Sequence, residues 1–280
     1  MKRGKMIKLV VVDLDGTLLT SDKKVSDGTL KAIKAYHERG IKFAICTGRS
    51  LIETTHISEI KDVFEHCDYV ITANGGTITS LKQYKRVYSY FLPKSKIREV
   101  YDSISDMDNL FEVFIDGKVF CDESRYKNYK QYIHGAFYTM VEDTRIPVKD
   151  IMNFVQESDG KMPMLFISFK DEPTRNKAFS RIEKIEDISP HLSWTKAIEI
   201  GVKGVDKGES TKKLSEIIGV EKDEILFIGD SYNDLPMRKA VDILVAMGNA
   251  IDELKDLADF VTCSNDDDGV VYALDKYLND

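Results

Sequence analysis

The chain has 280 residues, 42% hydrophobic and 31% charged, with 47 acidic against 40 basic side chains and a net charge of −7. At this length roughly 75% of the unfolded surface can be buried, so no disulfide or metal staple is needed. The negative balance argues against non-specific nucleic-acid binding and an anionic membrane surface, and no apolar run approaches the ~20 residues of a membrane helix.

Lys2, Arg3 and Lys5 precede an apolar run too short for a signal peptide and lacking a cleavage pattern. "MIKLVVV" (6–12) then reads as a buried strand that ends on Asp13 and Asp15, with Gly16-Thr17 turning the chain away. Ser26 caps a helix over 27–39, closed by Gly40. "IKFAIC" (41–46) is a second buried strand, leading into Thr47-Gly48; 51–64 reads as one helix; "DYVIT" (68–72) is a third strand, followed by Asn74-Gly75-Gly76. Strand and helix alternating at these intervals give a parallel sheet with right-handed crossovers.

The rhythm changes from Tyr88 to about Ile200. A helix (94–105) precedes "LFEVFID" and "KVFCDE", a hairpin turned at Asp116-Gly117. Tyr-rich helical material (124–134), a helix (149–157), the strand "MPMLFISF" (162–169), a helix (172–186) and two strands within 191–200 follow. Hairpins mixed with helices mark an α+β unit. Alternation resumes with a helix over 207–218, "EILFIGD" (224–230), a helix over 232–239, "ILVAM" (243–247), a helix (251–257), "DFVT" (259–262) and a last helix (267–278). The expected architecture is an α/β core from residues 1–87 and 201–280, with an inserted α+β cap domain at 88–200. Two connections between domains suit hinge closure over a cleft.

Cys46, Cys67, Cys121 and Cys263 are far apart with no CxxC pair, as expected of reduced structural thiols in a cytoplasmic protein. His37, His56, His66, His134 and His191 have no spaced partner that would suggest zinc.

In open parallel sheets, ligands sit at the carboxyl ends of strands. Those ends carry Asp13 and Asp15, Thr47-Gly48, Asn74-Gly75-Gly76, and Asp230 with Asn233 and Asp234 just behind. Converging carboxylates repel unless a cation lies among them. Oxygen ligands without nearby His or Cys favour Mg²⁺. Lys207 opens a helix, where a cation is unfavourable by roughly 0.3–1 kcal/mol; a solvated lysine paired with Asp206 or Glu209 is the plain alternative. Beside the strand-end acids, a lysine at a helix N-terminus reads as an anion site, with phosphate as the anion. "DLDGTL" alone also occurs in metal-dependent glycosyl transfer and acidic turns, and "TGR" alone is usually just a turn. "GDSYNDLPM" is more specific, and the full order is a strong signal.

That order, "DLDGTLL", "ICTGR", "TANGG", "GVDKG" and "GDSYNDLPM…VAMGNA…ADFVTCSNDDDGV", resembles the haloacid dehalogenase superfamily of phosphatases, in its Cof-type sugar-phosphatase-like branch with a C2-type cap. The resemblance covers nearly all of the expected core and implies a Rossmann-like doubly wound parallel-sheet core. It implies Asp13 as the nucleophile forming an aspartyl-phosphate, and Asp15 as the acid and then base, its carbonyl also on Mg²⁺. Asp230 would complete the protein ligands of the metal. Thr47, Gly48, the Leu14 amide and Asn233 would hold phosphoryl oxygens. Lys207 would neutralise the nucleophile and phosphate, and Asp234 would orient Lys207 or a metal-bound water. The expected partner is a small phosphorylated metabolite, a sugar phosphate or phosphorylated cofactor, with no nucleic acid and no membrane; the sequence names neither the ester nor the oligomeric state, for which a monomer suffices. Rival readings are a phosphotransferase or mutase using the same intermediate, and a non-catalytic phospho-ligand sensor.

Overall fold

The computed structural model describes residues 6–193 and 196–279, so Lys2, Arg3 and Lys5 lie outside the described residues. Two compact units emerge. The first comprises the chain through Gly48, Ile57–Tyr88 and everything from Asp206 on; the second comprises Arg49–His56 and Ser89–Val205. Arg49–His56, expected with the α/β core, thus groups with the second unit.

The first unit is built on an eight-stranded sheet. From one edge its strands are Phe260–Val261, Ile243–Ala246, Ile225–Gly229, Leu9–Asp13, Lys42–Cys46, Tyr69–Thr72, Thr77–Ser80 and Lys85–Ser89. The first six run parallel, and Thr77–Ser80 turns back antiparallel to Tyr69–Thr72. The chain leaves Leu9–Asp13 toward one edge and later returns beside that strand to build toward the other, which makes the sheet doubly wound. The order reverses between Leu9–Asp13 and Ile225–Gly229, where such sheets bind ligands. Register aligns Val12 with Ile228 and Asp13 with Cys46, so Asp13 and Asp230 emerge at the same rim. Both central strands are fully buried, as their continuous apolar runs require.

Local chemistry sets the helix ends. The Ser26 hydroxyl accepts from the Thr29 amide at 3.0 Å and starts Asp27–Glu38. The Asp206 carboxylate accepts from the Glu209 amide at 2.8 Å and starts Lys207–Ile218, which Gly219 closes in the left-handed conformation. Residues 232–239 form a 3₁₀ segment rather than an α-helix, with Pro236 inside it removing an amide donor. The expected helix over 51–64 is two short helices, Leu51–Thr55 and Ile60–Phe64. Thr77–Ser80 and Lys85–Ser89 are strands the sequence did not announce.

The second unit has a six-stranded sheet in the order Ile188–Ser193, Ala197–Val202, Met164–Phe169, Asn109–Ile115, Lys118–Asp122, Arg145–Val148. Every pairing is antiparallel except the last, which is parallel. Asp116 and Gly117 both take positive φ in the hairpin turn, as the dipeptide predicts. Helices Lys94–Ser103, Ile151–Glu157 and Glu172–Ile182 supply Ile97, Val100, Val155, Ala178 and Ile182 to an apolar core completed by Val113, Leu165, Ile167 and Ile198 from the sheet. Tyr129, Tyr132, Ile133 and Val141 form a smaller cluster with Leu110 and Cys121, so the Tyr-rich stretch contributes to packing.

Arg49–His56 is held within this second unit by polar contacts. The Ile52 amide donates to the Gly117 carbonyl at 2.9 Å. The buried Arg145 guanidinium donates to Glu53 and, at 2.6 Å, to Glu112. Glu53 also accepts from the Ser50 amide and hydroxyl, each at 2.8 Å.

Candidate active site

The rim between the two central strands gathers charge that a protein interior normally excludes. Asp13, Asp230 and Asp234 bring carboxylate oxygens within 4.8 Å of one another. Against these acids stands Lys207, completely buried, with Nζ 2.5 Å from Asp13 Oδ1 and 2.7 Å from Asp234 Oδ1. A lysine at a helix N-terminus works against the helix dipole, and here the two carboxylates offset that penalty. Gly208 lets the helix start lie close to the 232–239 segment: a Cβ there would stand 2.5 Å from the Pro236 carbonyl oxygen.

Asp234 is fully committed. One oxygen takes Lys207, and the other accepts the amides of Asp230 at 2.9 Å and Ser231 at 3.0 Å. Asp230 accepts the Thr17 hydroxyl at 2.8 Å. Gly16, at φ +83, passes so close that a Cβ would stand 2.5 Å from Asp230 Oδ2.

Burial pushes the Asp13 carboxyl well above the usual carboxylate range; Lys207 pulls it back, while Asp234 and Asp230 push it further up. Burial likewise raises Asp230, opposed by the Thr17 hydrogen bond. Burial alone would pull the Lys207 ammonium down, but Asp13 and Asp234 overcome this and hold it above the ordinary lysine value. The three shifts are linked: buried Asp13 and Asp234 and part-buried Asp230 have a single ammonium among them. A further cation fits this imbalance, and the donors available to it are hard carboxylate oxygens. Because Asp234 already engages both oxygens in three hydrogen bonds, Asp13 and Asp230, with one each, are the side chains better able to hold it. Cys46, next to Asp13 across the sheet, is buried, and burial raises its thiol, so it remains protonated and does not compete as a ligand.

The other expected residues are distributed around this cluster. Leu14 is fully buried, and its carbonyl accepts from the Leu19 amide at 2.9 Å. Thr47 is buried; its amide donates to Ile71 at 2.9 Å and its carbonyl accepts from Asn74 at 3.1 Å. Asn233 donates to the Asn74 side-chain oxygen at 3.0 Å, and a Cβ on Gly48 would stand 3.0 Å from that oxygen. The Asp15 side chain lies outside the carboxylate cluster; it is part-exposed, with Oδ1 3.0 Å from Lys23 Nζ.

Two contributors were not assigned from sequence. Asn74 joins Asn233 to the Gly48 turn from a left-handed φ of 50°, which Asn tolerates better than most residues; the sequence places Asn74-Gly75-Gly76 at a ligand-binding strand end but gives Asn74 no role. Thr17 reads in sequence only as part of a turn, and its contact with Asp230 spans 213 positions.

A model of the haloacid dehalogenase-like hydrolase family matches residues 10–274. The chain is 30% identical to a 5-amino-6-(5-phospho-D-ribitylamino)uracil phosphatase of Bacillus subtilis, over 98% of this chain and 99% of that one. It is 29% identical to an HMP-PP phosphatase of Klebsiella pneumoniae, over 89% of this chain and 87% of that one. Among solved structures, a haloacid dehalogenase-like hydrolase from Bacteroides thetaiotaomicron matches with a TM-score of 0.82 at 26% identity, covering 96% of this chain and 99% of the other.

Proposed function

Because the chain belongs to the haloacid dehalogenase-like hydrolases, as a phosphatase of the Cof-type branch, we propose that its carboxylate cluster hydrolyses monoesters of small phosphorylated metabolites through Asp13. The observation that carries this reading is the buried Lys207 ammonium between Asp13 and Asp234, at the rim where the two central strands end.

In the first step an Asp13 oxygen bonds to phosphorus as the bond from phosphorus to the leaving oxygen breaks. Asp15 passes its proton to that oxygen, so the product leaves as an alcohol. In the second step a water gives its proton to Asp15 and its oxygen to phosphorus, and the Asp13–phosphorus bond breaks to release inorganic phosphate. Lys207 offsets the repulsion between the Asp13 carboxylate and the incoming dianion. Thr47, Gly48, the Leu14 amide and Asn233 bind phosphoryl oxygens, whose charge peaks during in-line transfer. Asp234 fixes Lys207 and, through the Asp230 amide, the end of that strand. Asp13, Asp230 and the Asp15 carbonyl would hold Mg²⁺, which would supply the remaining positive charge. No single group suffices, since general acid–base catalysis contributes about 10²–10⁴ to reactions that enzymes accelerate by up to ~10²¹.

The curated relatives' names support a substrate whose phosphate sits on a small polar molecule. The described cysteines are unpaired, in keeping with a reducing compartment, and the cytoplasm is the proposed location. Among the described residues, no helix is long and apolar enough to cross a membrane.

The test is phosphate release from p-nitrophenyl phosphate and a metabolite panel, with Mg²⁺ and then with EDTA, in the wild type and Asp13→Asn. Turnover that needs Mg²⁺ and vanishes in a folded Asp13→Asn is expected. Turnover that survives EDTA refutes the metal, wild-type rates in Asp13→Asn refute the nucleophile, and saturable binding without turnover favours a sensor.

A further inference from the structure

The turn after the first strand carries a lysine that this mechanism leaves unused. Lys23 Nζ lies 3.0 Å from Asp15 Oδ1. It is presented by a closed turn, in which the Lys23 amide donates to the Thr20 carbonyl at 2.9 Å and the Thr20 amide donates to the Lys24 carbonyl at 2.8 Å. Lys23 itself takes φ 61°, a left-handed conformation that costs any residue with a Cβ and persists only where the surroundings impose it.

Those surroundings come from the far end of the chain. Asn249 donates to the Gly16 carbonyl at 2.8 Å, and Asn265 to the Leu19 carbonyl at 2.9 Å. Asp266 accepts the Ser21 amide at 2.8 Å and its hydroxyl at 2.7 Å, and Asp268 accepts the Ser26 hydroxyl at 2.5 Å. The Asn265 amide donates to the Asn249 side chain at 3.0 Å and ties these contacts together. The acidic run "SNDDDG" is therefore a bracket on the loop that carries Asp15 and Lys23.

A surface ion pair between half-exposed partners adds little stability, so stability does not explain the Lys23–Asp15 pair. What it fixes is direction. An ammonium carried on a held backbone turn and bound to one carboxylate oxygen restricts the side-chain torsions of Asp15, and with them the line along which its proton is delivered. We propose that Lys23 is a positioning residue for Asp15, aimed by the bracket of Asn249, Asn265, Asp266 and Asp268. Its charge opposes the protonation that Asp15 needs as a donor and favours, by the same amount, the carboxylate left when the proton departs, so to first order its effect on the barrier is orientational. Displacing a catalytic group by about 1 Å can cost 10²-fold.

The inference rests on the proposed role of Asp15 as proton donor, and leaving-group dependence tests the two separately. The nitrophenolate of p-nitrophenyl phosphate departs with little help, whereas an alkyl phosphate needs its leaving oxygen protonated. In Lys23→Ala, kcat/KM for the alkyl ester falls about 5–20-fold, part of the about 10²–10⁴ that a general acid contributes, while that for p-nitrophenyl phosphate falls less than about twofold. Lys23→Arg restores the alkyl ester to within about threefold, and Asp266→Ala shows the same selectivity more weakly. Tm stays unchanged in Lys23→Ala. An equal fall on both esters, no fall, or a gain in Lys23→Ala overturns the positioning role, provided Asp15→Asn shows the selectivity; an Asp15→Asn that spares the alkyl ester instead overturns the donor role.

Discussion

Replacing Lys207 with methionine separates what this lysine does for the fold from what it does for the reaction. The side chain is fully buried, with both ion-pair partners at most 5% exposed. Its removal leaves Asp13 and Asp234 as buried carboxylates without their counter-ion, and breaking a buried pair in this way costs about 3–5 kcal/mol. For a domain of about 150–250 residues each kcal/mol moves Tm by roughly 2–4 °C, so the variant in EDTA melts roughly 6–20 °C below wild type. A divalent cation stabilises both proteins, by about 2.7 kcal/mol at 100 times its Kd, and it binds the variant more tightly because no ammonium repels it; each tenfold in Kd returns about 1.4 kcal/mol of the deficit. Scanning fluorimetry therefore reads a large deficit in EDTA that narrows with Mg²⁺. Turnover does not follow, because a cation on Asp13 and Asp230 does not occupy the ammonium's position. With Mg²⁺ saturating, kcat stays down by about 10²–10³, the scale of one preorganised charge-stabilising contact. A variant as stable as wild type in EDTA, or one with kcat within threefold of wild type, refutes the reasoning.

Gly16→Ala places a Cβ in a left-handed conformation, at a cost of about 1–2 kcal/mol, and drives it into Asp230 Oδ2. The Mg²⁺ concentration for half-maximal turnover is expected to rise at least about tenfold, the lower end for loss of a ligand's support; an unchanged metal titration counts against Asp230 as a ligand. The Tyr36 hydroxyl donates to Asp275 at 2.7 Å with the Asn279 side-chain amide also 2.7 Å away, and burial together with Asp275 pushes it up to about 12. A folded value above the unfolded one means that its contribution is fully present below pH 10 and is lost as pH rises through about 12. On the order of 1–2 kcal/mol of unfolding free energy disappears across that window in wild type and not in Tyr36→Phe. Denaturant titrations at pH 9 and 11.5 that lose equal stability in both proteins contradict this.

What was legible in the sequence was carried by local contrast. Leu9–Asp13 and Ile225–Gly229 are unbroken apolar runs that end abruptly on acids, and parallel alternation puts the carboxyl ends of such strands on one edge; their side-by-side pairing in the sheet then brings Asp13 to Asp230. Where contrast fades, the reading failed. "TITS" and "KRVYS" are short and polar, and nothing in them signals the antiparallel margin they form. The apolar spacing of 51–64 continues through His56, and no Pro or Gly marks the break between its two helices. The Asn74–Asn233 contact joins residues 159 positions apart, a link that no local spacing encodes.

The Arg145 network shows why such links escape a linear reading even when they are energetically expensive. Glu112 and Glu53 lie 33 and 92 positions from Arg145, and all three side chains are nearly inaccessible. Two carboxylates share one guanidinium. Burial leaves Glu112 above its ordinary value, while the Arg145 charge and the Ser50 hydrogen bonds outweigh burial and hold Glu53 below its own. The inequality identifies Glu53 as the better-solvated partner, with the Ser50 amide and hydroxyl standing in for water. Well-packed apolar side chains often match or exceed a buried ion pair in stability, so stability is a weak explanation for placing charges here. A guanidinium held by two carboxylates accepts few orientations, and this one fixes the helix that follows Thr47-Gly48 against the strands carrying Glu112 and Arg145. The division of the chain after Gly48 is therefore written in three charges rather than in any break of composition.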